Sequence, residues 1–264
     1  LAPHLAASPT ARLRFLREAR SAAAVKHANV VQVHAVEERP LPYLVMEYLP
    51  GETLQQRLDR ASPLPLPDVL RAGRQIADGL AAAHAQGLIH RDIKPSNILM
   101  DGGPAATARI TDFGLARAAD DATLTRSGTV AGTPLYMAPE QARGESLDHR
   151  ADLFSLGSVL YELCAGLPAF KAPTTVAVIR RVCDESPRPI RELNPDVPET
   201  LCQLIDRLHA KKPSGRPGSA TEVADRLSEL LTNLQDPSTR PEAVSEPESK
   251  PAGKALGRRA AGWS

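Results

Sequence analysis

Side chains in the stretch HRDIKPSN, His90 to Asn97, have the types and the spacing for chemistry on a phosphoryl group. Asp92 is a carboxylate that could accept the proton of a hydroxyl. Lys94, two residues on, brings a compact positive charge within reach of a phosphoryl oxygen. Asn97 offers a neutral carbonyl oxygen, which suits a hard cation such as Mg²⁺. Pro95 stiffens the loop between them. Phosphoryl transfer is catalysed mostly by positioning and charge stabilisation, so an acid, a cation and a metal ligand within six residues meet its needs. Taken alone, the stretch also reads as a polar surface loop with a chance His-Arg-Asp. Two later motifs argue against chance: Asp112-Phe113-Gly114, fifteen residues after Asn97, and then Ala138-Pro139-Glu140.

With three motifs in this order, the chain resembles the protein kinases, and most of all their bacterial Ser/Thr branch. The resemblance covers residues 1–234. It implies an α+β fold with a mainly helical C-lobe, a truncated N-lobe of one helix and a strand pair, and a hinge near residues 47–52. It implies transfer of the ATP γ-phosphoryl group to Ser or Thr hydroxyls of proteins. Asp92 would take the proton, Lys94 would stabilise the phosphoryl group, and Asn97 and Asp112 would hold Mg²⁺. ATP and Mg²⁺ are the implied cofactors, protein substrates the implied partners, and self-association would serve autophosphorylation in trans. The rival is a non-catalytic binding or scaffold module on the same fold. Asp92, Asn97 and Asp112 count against it, since a scaffold has no chemical need of them.

The positioning elements follow in chain order. Ser8-Pro9 reads as an N-cap with Pro at the first helical position, opening a helix from Thr10 to Val25. Leu13, Leu16, Ala19 and Ala23 recur at helical spacing, with Phe15, Glu18 and Ala22 on a neighbouring face. By itself Glu18 reads as a surface charge. By the resemblance, it is the helix glutamate that pairs with an ATP-binding lysine. None of residues 1–11 is a lysine and no G-x-G-x-x-G opens the chain, so the chain is expected to start a few residues after that lysine.

NVVQVHAV and YLVMEY read as two strands, separated by the Pro-rich EERPLP of a hairpin. The second runs into Met46-Glu47-Tyr48-Leu49-Pro50-Gly51-Glu52, which on its residues is only a strand and a turn. The resemblance makes it the hinge: backbone groups of Glu47 and Leu49 would bond an adenine, Met46 would gate the pocket and Glu52 would reach the ribose. A short helix is expected over residues 52–61 and a long one over Leu66 to His84. Leu99, on a short strand 98–100, would lie under the adenine, and a return strand over Ala108 to Thr111 would bring Asp112 to Asn97. Between Asp112 and Glu140, Thr123, Thr125, Ser127 and Thr129 crowd beside Arg126, and the resemblance has Arg91 reading a phosphate there. Thr133 matches a position that touches the catalytic aspartate. The run from Asp152 to Gly166 reads as a core helix, since it is apolar nearly all round. By the resemblance Asp152 holds the backbone near His90 and Arg91, and Arg216 pairs with Glu140. A last helix is expected from Thr221 to Leu234.

Composition permits this reading without demanding it. Hydrophobic residues make up 42% of the chain and its net charge is +1, so nothing calls for nucleic acid or a membrane surface. Cys164, Cys183 and Cys202 form no CxxC or metal spacing and read as reduced thiols of a cytoplasmic protein. No uncharged run of 18 residues suggests a transmembrane helix, and no signal peptide is recognised at the start. Residues 235–264, rich in Pro, Ser, Glu and Lys, are expected to form a disordered tail.

Overall fold

The computed structural model describes residues 8–102, 106–113 and 134–235. Gly114, Thr123, Thr125, Arg126, Ser127, Thr129, Thr133 and the tail from 236 lie outside the described residues.

Helix α1 spans Pro9–Ala24, capped by Ser8, whose hydroxyl accepts the Ala11 N–H. Its buried stripe is Ala11, Phe15, Leu16, Ala19 and Ala22, while Leu13 is 68% exposed. The face that packs therefore joins Phe15 to Leu16 and Ala19 and leaves Leu13 outside. It rests on Val36 and Leu44 of a hairpin formed by β1 (Val33–Glu37) and β2 (Tyr43–Met46). Val36 and Leu44 are direct cross-strand partners, so they share one face of the ribbon.

A second, three-stranded sheet runs in the order β3 (Gly51–Thr53), β4 (Ile98–Asp101), β5 (Ala108–Ile110), antiparallel throughout. Strand β3 corrects the sequence reading, which began a helix at Glu52. Helix α2 begins only at Leu54 and ends at Arg60. Thr53 and Gln56 close a capping box at its start, a T-x-x-Q signal that marks the true boundary. Gly51 is required where it stands: a Cβ there would lie 2.1 Å from the Met100 carbonyl oxygen.

Helix α3 covers Leu66–His84, the expected span. Ile98, Met100, Ala108 and Ile110 are buried within the main core, and the Ala108 N–H donates to Gln75 of α3 at 2.7 Å. After a short α4 (Pro139–Ala142) comes α5, Arg150–Ala165, with residues 151–164 all buried. Gly166, at φ 77°, stops it in the left-handed region that glycine enters without strain. Helices α6 (Thr175–Asp184), α7 (Glu199–Leu208) and α8 (Ala220–Gln235) follow within the described residues. Helices α3, α5 and α8 meet at Gly73, where a Cβ would approach Leu160 to 2.5 Å and Leu227 to 3.2 Å. Each fully buried Leu or Ile here contributes about 1.5–3 kcal/mol relative to exposure. No helix among the described residues is long and apolar enough to cross a membrane. Cys164 and Cys202 are buried and Cys183 half-buried, all as free thiols, and burial pushes the Cys164 thiol up to about 12.

His209 is packed among Phe154, Phe170 and Tyr161. Burial, and then the charges of Lys211 and Arg216, push it from its ordinary 6.5 down to about 3. The unfolded chain therefore binds the proton first, and stability is full above pH 6.5 and falls as pH drops toward 3. Each unit in that window costs about 1.4 kcal/mol, so moving from about pH 7.5 to about pH 5 should remove about 2 kcal/mol through His209. Urea denaturation of the parent and His209→Phe at both pH values checks this. The variant should show the shallower dependence, and equal dependence would refute the assignment.

Candidate active site

Asp152 organises the loop that follows α3. It is fully buried, and its carboxylate accepts the backbone N–H of His90 at 2.8 Å and of Arg91 at 2.7 Å. His84, on the last turn of α3, adds a third contact to the same carboxylate at 2.8 Å. Arg91 is thereby held at φ 68°, a left-handed conformation that costs a non-glycine residue about 1–3 kcal/mol. Gln141 of α4 secures its carbonyl oxygen at 2.8 Å.

His90 is fully buried and structural. Its Nδ1 accepts the Asp92 N–H at 3.2 Å, so the proton sits on Nε2, which donates to the Thr111 carbonyl at 2.9 Å. Burial holds its pKa below the usual value, in keeping with a neutral ring, although Asp152 opposes the shift. Phe113 packs on the ring at 4.8 Å between centroids.

Along this loop the structure brings Asp92, Lys94 and Asn97 together. Lys94 Nζ lies 2.7 Å from Asp92 Oδ2. Asn97 Nδ2 donates to the Asp92 carbonyl at 2.8 Å and to Asp92 Oδ2 at 3.1 Å. The amide thus turns its nitrogen to Asp92, which leaves Oδ1 as its metal-competent atom. Asp112 joins them through the backbone, because the Thr111 N–H donates to the Asn97 carbonyl at 3.0 Å. Asp112 is exposed and sits at φ 57°, a second strained residue at the same loop cluster. Together Asn97 and Asp112 present oxygen donors. Mg²⁺ is commonly held by one or two carboxylates with substrate phosphates completing its shell, so this donor set fits it.

Glu18 reaches the cluster from α1. Its carboxylate lies 3.4 Å from Arg91 Nη1, with the two side chains 25% and 31% exposed. Glu18 was expected to pair with an ATP-binding lysine that residues 1–11 lack; in the structure the Arg91 guanidinium, on the turn that Asp152 holds, lies beside its carboxylate. The hydroxyls expected to carry a phosphate for Arg91 lie outside the described residues.

The expected hinge residues lie beside the sheet. Met46 is 39% exposed and Leu49 half-buried. The Glu47 N–H donates to the Gln32 carbonyl at 2.9 Å, and both of its carboxylate oxygens lie 3.1 Å from Arg109 Nη1. Leu99 sits half-buried on β4, between Thr53 and Arg109 on the flanking strands. Glu52 was expected to reach a ribose. It is engaged by Arg57 at 3.0 Å and by both Arg60 Nη atoms at 2.8 Å. Arg60 first, and Arg57 second, hold its carboxyl below the usual range. A ribose hydroxyl would share this carboxylate with them.

Sequence reasoning missed Arg109, His84 and Gln141. Strand alternation carried a signal for the first: Arg109 falls between buried Ala108 and Ile110, so it must face the open side. Nothing local marked the other two.

The protein kinase domain family matches residues 5–227 of the chain. Among curated proteins, PknB, a serine/threonine-protein kinase of Mycobacterium leprae, is 36% identical over 248 residues, which cover 92% of this chain and 39% of that protein. PrkC, the serine/threonine-protein kinase of Bacillus subtilis, is 33% identical over 258 residues, covering 94% of this chain and 40% of PrkC. A probable serine/threonine-protein kinase of Clostridium acetobutylicum is 37% identical over 221 residues, covering 83% of this chain and 33% of that protein. The chain thus spans between a third and two fifths of the length of these relatives.

Proposed function

The chain belongs to the protein kinase family, and on that premise we propose that it transfers the γ-phosphoryl group of ATP to Ser or Thr hydroxyls of proteins. The observation that carries the reading is the contact of Lys94 Nζ with Asp92 Oδ2 at 2.7 Å, on a loop fixed from below by buried Asp152. An acceptor hydroxyl beside Asp92 would give its proton to that carboxylate as the oxygen attacks. Lys94 is near enough to offset the charge that develops on the transferred group. Asn97 and Asp112 would hold Mg²⁺, whose chemistry there is to neutralise phosphate charge and align the leaving group. Adenine would lie over Leu99 and bond the backbone near Glu47 and Leu49. Self-association for phosphorylation in trans belongs to the same proposal. The named relatives, all described as serine/threonine-protein kinases, support this reading rather than the binding-module alternative.

The test is incubation of the folded chain with γ-labelled ATP and Mg²⁺, with and without a protein acceptor. Label is expected on Ser and Thr, and not on Tyr. A folded chain that binds no ATP and transfers no label would overturn the proposal.

A further inference from the structure

We infer that Arg109 is a positioning residue for the nucleotide, acting through Glu47, and that this ion pair sets ATP affinity independently of the catalytic loop. The inference rests on the proposed kinase function. Directly opposed residues of an antiparallel pair share a face. Leu99 and Arg109 are such a pair across β4 and β5. Ile98, Met100, Ala108 and Ile110 occupy the other, buried face. Arg109 therefore stands beside the leucine proposed to lie beneath the adenine.

Its guanidinium is anchored at one end by a rigid backbone. Ile110, the next residue, donates to the Asn29 carbonyl and accepts from the Val31 N–H, both at 2.9 Å. At the other end, Nη1 lies 3.1 Å from both oxygens of Glu47. The side chains are 24% and 31% exposed, so water screens the pair only in part. The arrangement leaves Arg109 Nε buried and without a hydrogen-bond partner among the described residues. Glu47 holds the guanidinium in place in spite of that cost.

Glu47 is thus fixed twice. Its backbone N–H is tied to Gln32, beside the two-stranded sheet, and its carboxylate to β5 of the three-stranded one. Residues 47–50 cross from one sheet to the other, and the pair sets where their backbone groups point. Without it the segment gains freedom that nucleotide binding must remove again, which raises the effective dissociation constant. Asp92, Lys94 and Asn97 follow the turn that Asp152 holds, and the contacts described among them do not involve the Arg109 side chain.

The experiment measures Mg-ATP affinity, KM and kcat for the parent chain, Arg109→Gln, Glu47→Gln and the double variant, with melting temperatures alongside. Either single change should raise KM for ATP roughly threefold to tenfold, the effect of one half-buried charge-assisted hydrogen bond, with kcat near the parental value. The double variant should be no worse than either single one, because both remove the same contact. Arg109→Lys should recover most of the affinity, since one cationic nitrogen makes both contacts. Parental KM in both single variants would overturn the inference, as would a fall in kcat at constant KM or effects that simply add. If Arg109→Gln does not fold, Glu47→Gln and Arg109→Lys decide the matter. A folded parent that binds no ATP would instead remove the proposed function, and this inference with it.

Discussion

Asp92→Asn should cut phosphoryl transfer by at least about a hundredfold, and up to about ten-thousandfold, the span that positioned proton transfer supplies. ATP affinity should stay near the parental value. The substitution keeps the shape of the side chain and removes its charge and its basicity. The backbone contacts that hold the loop do not involve the Asp92 carboxylate. They run from Asp152 to His90 and Arg91, from His90 to Thr111, and from Asn97 to the Asp92 carbonyl. Lys94, at 2.7 Å, would lose its charged partner, and Asn97 Nδ2, at 3.1 Å, would face an amide in place of a carboxylate, so small changes in the orientation of both are expected. Autophosphorylation and nucleotide binding measured side by side separate the two functions. Undiminished transfer in the variant would remove Asp92 from the chemistry.

The largest stability effect is expected at Arg216. Its side chain is fully buried and that of Glu140 is 4% exposed, with two hydrogen bonds between them at 2.6 and 2.7 Å. The same guanidinium donates to the carbonyls of Ala210 and Arg150, each at 2.9 Å, and stacks 5.1 Å from the centre of Phe154. Arg216→Ala leaves a carboxylate dry and without its guanidinium, and removes the donors to the carbonyls of Ala210, Lys211 and Arg150. Removing one partner of such a pair costs about 3–5 kcal/mol, against a total domain stability of about 5–15 kcal/mol. Arg216→Met/Glu140→Leu should cost less than Arg216→Ala alone, because an apolar pair abandons no buried charge. Denaturant midpoints for the two variants test this. A loss below about 1 kcal/mol for Arg216→Ala would mean that water reaches the pair, since exposed pairs contribute no more than that.

Much of the architecture was legible before the structure. Leu66–His84 was read to the residue because a long amphipathic helix repeats its signal over five turns. The loop from His90 to Asn97 was legible because its chemistry is local: residues two to five apart in sequence are forced to be neighbours. The run through α5 announced its burial by having almost no polar side.

Strand β3 was not legible, since three residues are too few to show an alternation, and its pairing with β4 is a contact between positions 51 and 101. The buried face of α1 was legible except at its edge: Leu16 and Ala19 are buried as their spacing suggests, but Leu13 is exposed and Phe15 buried, because only the hairpin chooses between adjoining stripes. The pairs Arg91 with Glu18, 73 residues apart, and Arg109 with Glu47, 62 apart, came from the tertiary structure alone. A charged side chain carries no periodic mark of its partner. Hydrophobic pattern and turn chemistry act on neighbours in sequence and so can be read from it. Which distant charges meet is decided only once packing has set the backbone, and in this protein that decision rests with buried Asp152 and with the backbone contacts of β5.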